Sequence, residues 1–252
     1  MVSFLVALLV FVAVYGGALA GMAVQSYLPH EHRDADTKAI VQLVMGLIAT
    51  MAALLLSLLI ASSHTFYETQ QSEVQQLGVN ILLLDDMFAR YGHETDAIRG
   101  LLKRDVAEVV QAISPVEGVG SAALAPAASA NSVGILEQVQ ALAPATPAQT
   151  YDKSAALTLM TAIAGERLLI HEQSMTTVPK TLFIVLVAWL TALFFSFGIF
   201  ARGNLTIVVA MFCGALSVAT AIFLIIDMSQ PYSGLTRVSV APIQSALVQI
   251  DR

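Results

Sequence analysis

The chain has 252 residues, of which 57% are hydrophobic and 12% are charged, and its mean hydropathy is +0.76. Soluble domains carry about 25% charged residues, so this composition excludes an ordinary soluble protein. The net charge of −6 and the pI of about 5.2 exclude a nucleic-acid partner, because nucleic-acid-binding proteins need a basic face.

Four apolar runs are each long enough to cross the roughly 30 Å hydrocarbon core of a bilayer. They cover residues 3–27, 39–62, 181–201 and 205–228. Each is predicted to form a transmembrane helix in contact with the lipid bilayer, because a helix satisfies its own backbone hydrogen bonds in lipid. The first run is expected to be retained, since it is too long for a signal peptide and no Lys or Arg precedes it.

These runs predict an all-α membrane protein with two transmembrane hairpins on either side of a helical extramembrane domain. The hairpins are residues 1–63 and 180–228. Between them, residues 64–179 form the extramembrane domain, and residues 229–252 form a C-terminal tail with a weak helix from Pro242.

Within the middle domain, the second transmembrane helix is expected to continue without a break. Apolar residues then recur at spacings of three and four, which is typical of a buried helical stripe: Val74, Leu77, Ile81, Leu84, Phe88 and Tyr91. Gly92 predicts a bend, after which a second amphipathic helix reaches Ile113. Residues 114–149 are rich in Ala, Pro and Ser and predict a loop, with helical character only at 135–142. A third helix is expected over 150–177.

The turn inside the first hairpin contains His30, Glu31, His32 and Arg33. Histidines two residues apart point to different sides of a helix or a strand, unlike the spacing of four in helical zinc sites. We therefore predict no metal site and no cofactor. The favoured interpretation is a polar turn that anchors the helix ends at the membrane interface. The alternative is a charged vestibule at a pore mouth, where Arg33 would attract anions.

One face of the second transmembrane helix carries small or weakly polar residues, namely Gln42, Gly46, Thr50, Ala53 and Ser57. Small residues on a membrane helix are typical of close helix packing. They are also compatible with a pore lining, because rings of small polar groups let partly hydrated ions pass. The two interpretations predict different exposure of Thr50 and Ser57.

Three short strings occur in order along the chain. They are Leu28–Arg33 with Thr37, then Leu84–Asp86 with Ala89–Gly92, and finally Asp227–Gly234. Together with the hairpin–domain–hairpin order, these strings resemble the bestrophin-like family of bacterial membrane proteins. The resemblance covers essentially the whole chain, and the function of that family is largely unassigned.

The family is named for bestrophins, which are pentameric anion channels with an acidic residue before a Pro-Phe-Gly turn after the last membrane helix. By this resemblance, Asp227, Pro231 and Tyr232 match the acid, the proline and the aromatic residue, and Gly234 falls one residue late. Leu235–Val238 replaces the acidic cluster of calcium-regulated bestrophins, so no calcium site is implied. From its position alone, Asp227 is expected to cap the end of the fourth helix.

Two functions follow as hypotheses. The first is a homo-oligomeric ion channel, a pentamer by the resemblance, that conducts small anions along the second helix. The second is a non-conducting membrane scaffold or sensor whose middle domain binds a partner. An enzyme is not expected, because the sequence has no nucleophile elbow, phosphate-binding loop or metalloprotease helix.

The expected location is a bacterial cytoplasmic membrane, but the orientation stays open. Arg33, Lys38 and Arg202 lie in the short hairpin turns, which favours a cytoplasmic location for those turns. The resemblance to bestrophins instead implies that the middle domain is cytoplasmic.

Overall fold

A computed structural model describes residues 2–25, 35–113, 130–175, 180–201, 204–230 and 236–250. These residues are helical apart from short connections, and no strand occurs among them, which confirms the all-α prediction. The helices are α1 (Val2–Gln25), α2 (Ala35–Tyr91), α3 (Asp96–Ile113), α4 (Ala130–Ala141), α5 (Pro147–Met175), α6 (Lys180–Phe200), α7 (Leu205–Met228) and α8 (Ala241–Ile250).

The chain divides into two compact units. The membrane unit comprises residues 1–66 and 177–229, and the helical unit comprises residues 67–176 and 230–252. Helix α2 contributes to both units, because its 57 residues continue past the division without interruption. The unbroken continuation expected from the sequence is therefore confirmed.

The membrane unit contains the four helices that are long and apolar enough to cross a bilayer, which identifies an integral membrane protein. Helix α1 packs on α6 and α7. Their shared core includes Val10, Val14, Leu186, Leu190 and Ile222, all of which are buried. The outer faces of the same helices also carry apolar side chains, such as Phe4, Ile184 and Leu216, which suits contact with lipid.

Close packing of α1 against α6 depends on glycines. A Cβ atom at Gly21 would overlap the backbone carbonyl of Phe195, and one at Gly198 would overlap the carbonyl of Ala18. At Gly17, a Cβ atom would lie 3.0 Å from the side chain of Thr191. Gly17 and Gly21 form a Gly-x-x-x-Gly pair, which lets two helix backbones approach closely in lipid. The sequence prediction missed this signal.

The helical unit is built around the predicted apolar stripe of α2. Val74, Leu77, Ile81, Leu84 and Phe88 are each at most 2% exposed, and Tyr91 is 4% exposed, so the stripe is confirmed as core. Buried residues of α3, α4, α5 and α8 complete the core, among them Ile98, Val106, Val139, Ile163, Ile170 and Ile243.

The short helix expected at 135–142 corresponds to α4, but α4 begins five residues earlier and the start of α5 also lies within the predicted loop of 114–149, so the loop prediction is wrong at those residues. Helix α4 buries Ile135 and Val139, so tertiary packing stabilises a helix that is too short to form alone. At the start of α5, the Gln149 N–H donates to the Thr146 hydroxyl at 3.2 Å, and the Thr146 N–H donates to the Gln149 side chain at 3.2 Å. This reciprocal pair is a capping box, and Pro147 occupies the first helical position.

Candidate functional site

The predicted pore-lining residues Gln42, Gly46, Thr50, Ala53 and Ser57 all lie on an exposed face of α2. The buried residues of the same stretch, Ala52 and Leu59, lie on the opposite side of the helix. The Thr50 hydroxyl donates to the Leu47 carbonyl at 2.7 Å, within its own helix. Within the protomer, Thr50, Ala53 and Ser57 of this small-residue face are therefore not covered by another helix.

Helix α2 is the least buried of the four membrane helices. Only 11% of its most apolar stretch is buried inside the chain, against 28% for α1, α6 and α7. Beside the small-residue face runs a stripe of large apolar side chains that are 61% to 78% exposed: Ile40, Leu43, Leu47, Leu54 and Leu58. A membrane helix with two such exposed stripes has one surface suited to lipid or protein and another suited to weakly polar contacts.

One end of the small-residue face borders a cavity of about 510 Å³ inside the membrane unit. Gln42 and Gly46 line it from α2, Ser196 and Phe200 from α6, and Met211 from α7. Thr50, Ala53 and Ser57 are not among its lining residues. The five predicted residues thus share a face of α2, but only two of them border this cavity.

Asp227 lies in the last turn of α7 and is 2% exposed. It has an interaction partner, so it is not an isolated charge. The helix end is closed by Ser229, whose N–H donates to the Ile225 carbonyl at 3.1 Å and whose hydroxyl donates to the Ile226 carbonyl at 2.8 Å. The other residues predicted around this motif and the first turn lie outside the described residues: Pro231, Tyr232, Gly234, His30, His32 and Arg33.

The string Leu84–Gly92 covers the last two turns of α2 and the first residue of the corner that leads to α3. The Arg99 guanidinium donates two hydrogen bonds to the Asp85 carboxylate, at 2.7 and 2.9 Å. Asp86 pairs with Arg90 one turn later, and Arg90 also lies 3.7 Å from Asp152 of α5. The Asp85–Arg99 pair joins α2 to α3 and the Arg90–Asp152 contact joins α2 to α5, so these residues of the second string have a structural role.

Gly92 allows the chain to turn the corner. Its φ of 123° and ψ of −174° fall in a region that only glycine adopts readily, so the predicted bend is confirmed. The Thr95 hydroxyl lies 2.5 Å from the Phe88 carbonyl and 2.7 Å from the Gly92 carbonyl. The Gln149 amide donates to the Tyr91 carbonyl at 3.0 Å. The carbonyls at the end of α2 are thus satisfied by side chains.

Two pKa shifts accompany this corner. The hydrogen bond to Asp85 raises the pKa of the Arg99 guanidinium. Burial raises the pKa of the Tyr91 hydroxyl above its usual 10.0, and the nearby Glu94 carboxylate adds to the effect. Both shifts keep these two side chains in their ordinary protonation states near neutral pH.

The fold and the exposed face of α2 define a helical, multi-span membrane protein with a helical unit outside the apolar spans. A family model described as the Bestrophin-like domain matches residues 12–243, which is nearly the whole chain. The chain therefore belongs to the Bestrophin-like family, as the sequence motifs predicted. The comparisons with curated proteins and with solved structures gave no match.

Proposed function

We propose that this chain is the subunit of a homo-oligomeric channel for small anions in a bacterial cytoplasmic membrane. The pore is lined by the α2 face that carries Gln42, Gly46, Thr50, Ala53 and Ser57. The observation that carries this proposal is the exposure of that face in the protomer. Membership of the Bestrophin-like family supports it, and the resemblance to bestrophins favours anions and a ring of five subunits.

Four membrane helices are too few to enclose a wide conduit, whereas several copies around an axis can do so. Closed cyclic symmetry is the usual arrangement of identical subunits. In such a ring, α2 supplies a repeated face of small side chains, and its neighbouring stripe of Leu residues supplies apolar surface for lipid or the next subunit.

The proposed lining contains no charged side chain. An ion in such a pore keeps much of its hydration shell and is bound weakly, which favours passage over retention. Selection by charge would then depend on residues near the pore entrances.

The test is chloride flux from liposomes that contain the purified protein. Thr50→Trp places a large side chain in the proposed lining and is expected to abolish flux. Leu58→Trp is the matched control, because Leu58 is 61% exposed but lies on the apolar stripe, about 80° around the helix from Thr50, and this variant is expected to retain flux. Both variants must first form the same oligomer as the original chain.

Flux that survives in Thr50→Trp, or that disappears equally in Leu58→Trp, would contradict the proposed lining. Intact oligomers that pass neither chloride nor potassium, over several pH values and with or without divalent ions, would contradict the channel itself.

A non-conducting scaffold or sensor is the second candidate, and one observation favours it. In the helical unit, α2 exposes Val79 and Leu83, one turn apart, at 49% and 45%. Adjacent exposed apolar side chains can mark a protein interaction surface. The absence of flux from intact oligomers would favour this function over the channel.

A further inference from the structure

The helical unit contains a second cavity, of about 490 Å³, which we call the helical-unit cavity. Helices α2, α3, α4 and α5 all contribute to its wall. Most of the wall is apolar, with Leu84 from α2, Leu102 from α3, Ile135 from α4 and Met160 from α5. A cavity of this size and lining is typical of small-molecule sites, which occupy about 300–1,000 Å³.

One part of the wall is polar and internally neutral. The Arg167 guanidinium donates to the Asp105 carboxylate at 2.6 Å, and the Ser132 hydroxyl donates to the same carboxylate at 3.0 Å. The side chains of Arg167 and Asp105 are only 16% and 6% exposed. Because the two charges cancel, a charged ligand would bury a charge with no opposite charge to compensate it.

The guanidinium has more N–H groups than acceptors. An arginine carries five N–H donors, whereas Arg167 has the bond to Asp105 and a long contact of 3.5 Å to the Ser132 hydroxyl. Its Nε has no hydrogen-bond partner but is enclosed by protein, so an acceptor in the cavity would be bound by the Nη groups. A hydrogen bond to a poorly paired donor lowers the free energy of a buried site. An acceptor oxygen in the cavity beside Arg167 would therefore be bound favourably.

We propose that the helical-unit cavity binds an uncharged, mostly apolar small molecule that bears one acceptor oxygen, such as a ketone, ester or ether. The apolar part packs against Leu84, Leu102, Ile135 and Met160, and the oxygen accepts a hydrogen bond from Arg167. This binding site is separate from the proposed pore lining, and its existence does not depend on ion conduction.

Benzophenone is a suitable probe, because it is apolar, uncharged and has a single carbonyl oxygen. On irradiation it forms covalent bonds to nearby C–H groups. The full-length protein in lipid nanodiscs is irradiated at rising benzophenone concentrations, and labelled peptides are mapped by mass spectrometry. Saturable labelling at Met160 is expected, whereas labelling of lipid-facing helices should rise without saturation.

Ala164→Phe tests the assignment, because Ala164 lines the cavity and the larger side chain fills it. Ala162→Phe is the matched control, since Ala162 is exposed on the same helix and is not among the lining residues. Saturable labelling at Met160 should be lost in Ala164→Phe and retained in Ala162→Phe, with both variants folded and assembled.

Three results would overturn the proposal or its assignment of an uncharged ligand. Labelling at Met160 that does not saturate, or that persists in Ala164→Phe, would show that the cavity is not a binding site for this class of molecule. The carboxylate analogue 4-benzoylbenzoate is expected to label Met160 much less than benzophenone. Equal saturable labelling by both would overturn the assignment of an uncharged ligand.

Discussion

Asp85 and Arg99 lie 14 positions apart in sequence, yet they form an ion pair joined by two hydrogen bonds in the helical unit. Their side chains are 12% and 28% exposed, so the pair is shielded from water over most of its surface. Loss of one partner from such a pair leaves the other charge poorly solvated. Replacement of both avoids that cost.

Arg99→Met is therefore expected to lower the free energy of unfolding of the helical unit by about 2 kcal/mol, since a partly exposed pair is worth less than a fully buried one. The double variant Asp85→Leu/Arg99→Met should recover a substantial part of that loss. Thermal unfolding of the purified protein, followed by circular dichroism, measures both. A double variant that is no more stable than Arg99→Met would contradict a role for the unpaired Asp85 charge.

At the scale of helices, the membrane unit depends on the close approach of α1 and α6. At Gly21 and Gly198, any side chain would meet a backbone carbonyl of the opposite helix. Because a helix backbone cannot move aside as a flexible side chain can, only glycine fits at these two positions. At Gly16, one residue before the Gly-x-x-x-Gly pair, a Cβ atom would meet nothing within 4 Å, so this position tolerates a methyl group.

Gly21→Ala is expected to destabilise the protein by about 1–3 kcal/mol, because the added methyl group forces α1 and α6 apart. Gly16→Ala is the matched control and should leave stability unchanged or slightly raised. The measurement is the midpoint of thermal unfolding in the same detergent. Equal midpoints for the two variants would show that close α1–α6 packing contributes little to stability.

The sequence predicted the helices well where long runs or regular spacing determined them. The four apolar runs predicted the membrane helices, and the stripe from Val74 to Tyr91 predicted the buried face of α2. Contact with lipid requires long apolar runs, and contact with a protein core requires apolar residues at spacings of three and four. Helix α4 was expected only over 135–142, and its earlier start at Ala130 was not predicted, because the Ala- and Ser-containing segment becomes helical through contacts made by Ile135 and Val139. The Asp85–Arg99 pair was not predictable, since it depends on the angle of the corner at Gly92.

For the candidate site, helical periodicity predicted which residues of α2 share a face. It could not predict whether that face is buried, because burial depends on where α1, α6 and α7 pack. The cavity beside Gln42 and Gly46 also depends on side chains from α6 and α7 that are distant in sequence.

At the scale of the whole molecule, the proposed channel requires several copies of the chain. We expect the protein to form a closed homo-oligomer in lipid nanodiscs, with five subunits as the number implied by the resemblance to bestrophins. Native mass spectrometry measures the subunit number directly. A strictly monomeric protein in lipid would contradict the proposed pore, because four membrane helices cannot supply a symmetric lining.

The two exposed stripes of α2 also imply a simple way to close a pore. Successive residues of a helix are rotated by about 100°, and the stripe of Leu residues lies roughly that far around the axis from the stripe that contains Thr50. A rotation of each whole subunit that turned α2 by about 100° relative to the pore axis would therefore replace small, wettable side chains with leucines along the conduit. A narrow passage lined by leucines loses its water, so such a rotation would stop ions by dewetting, without any side chain blocking the pore.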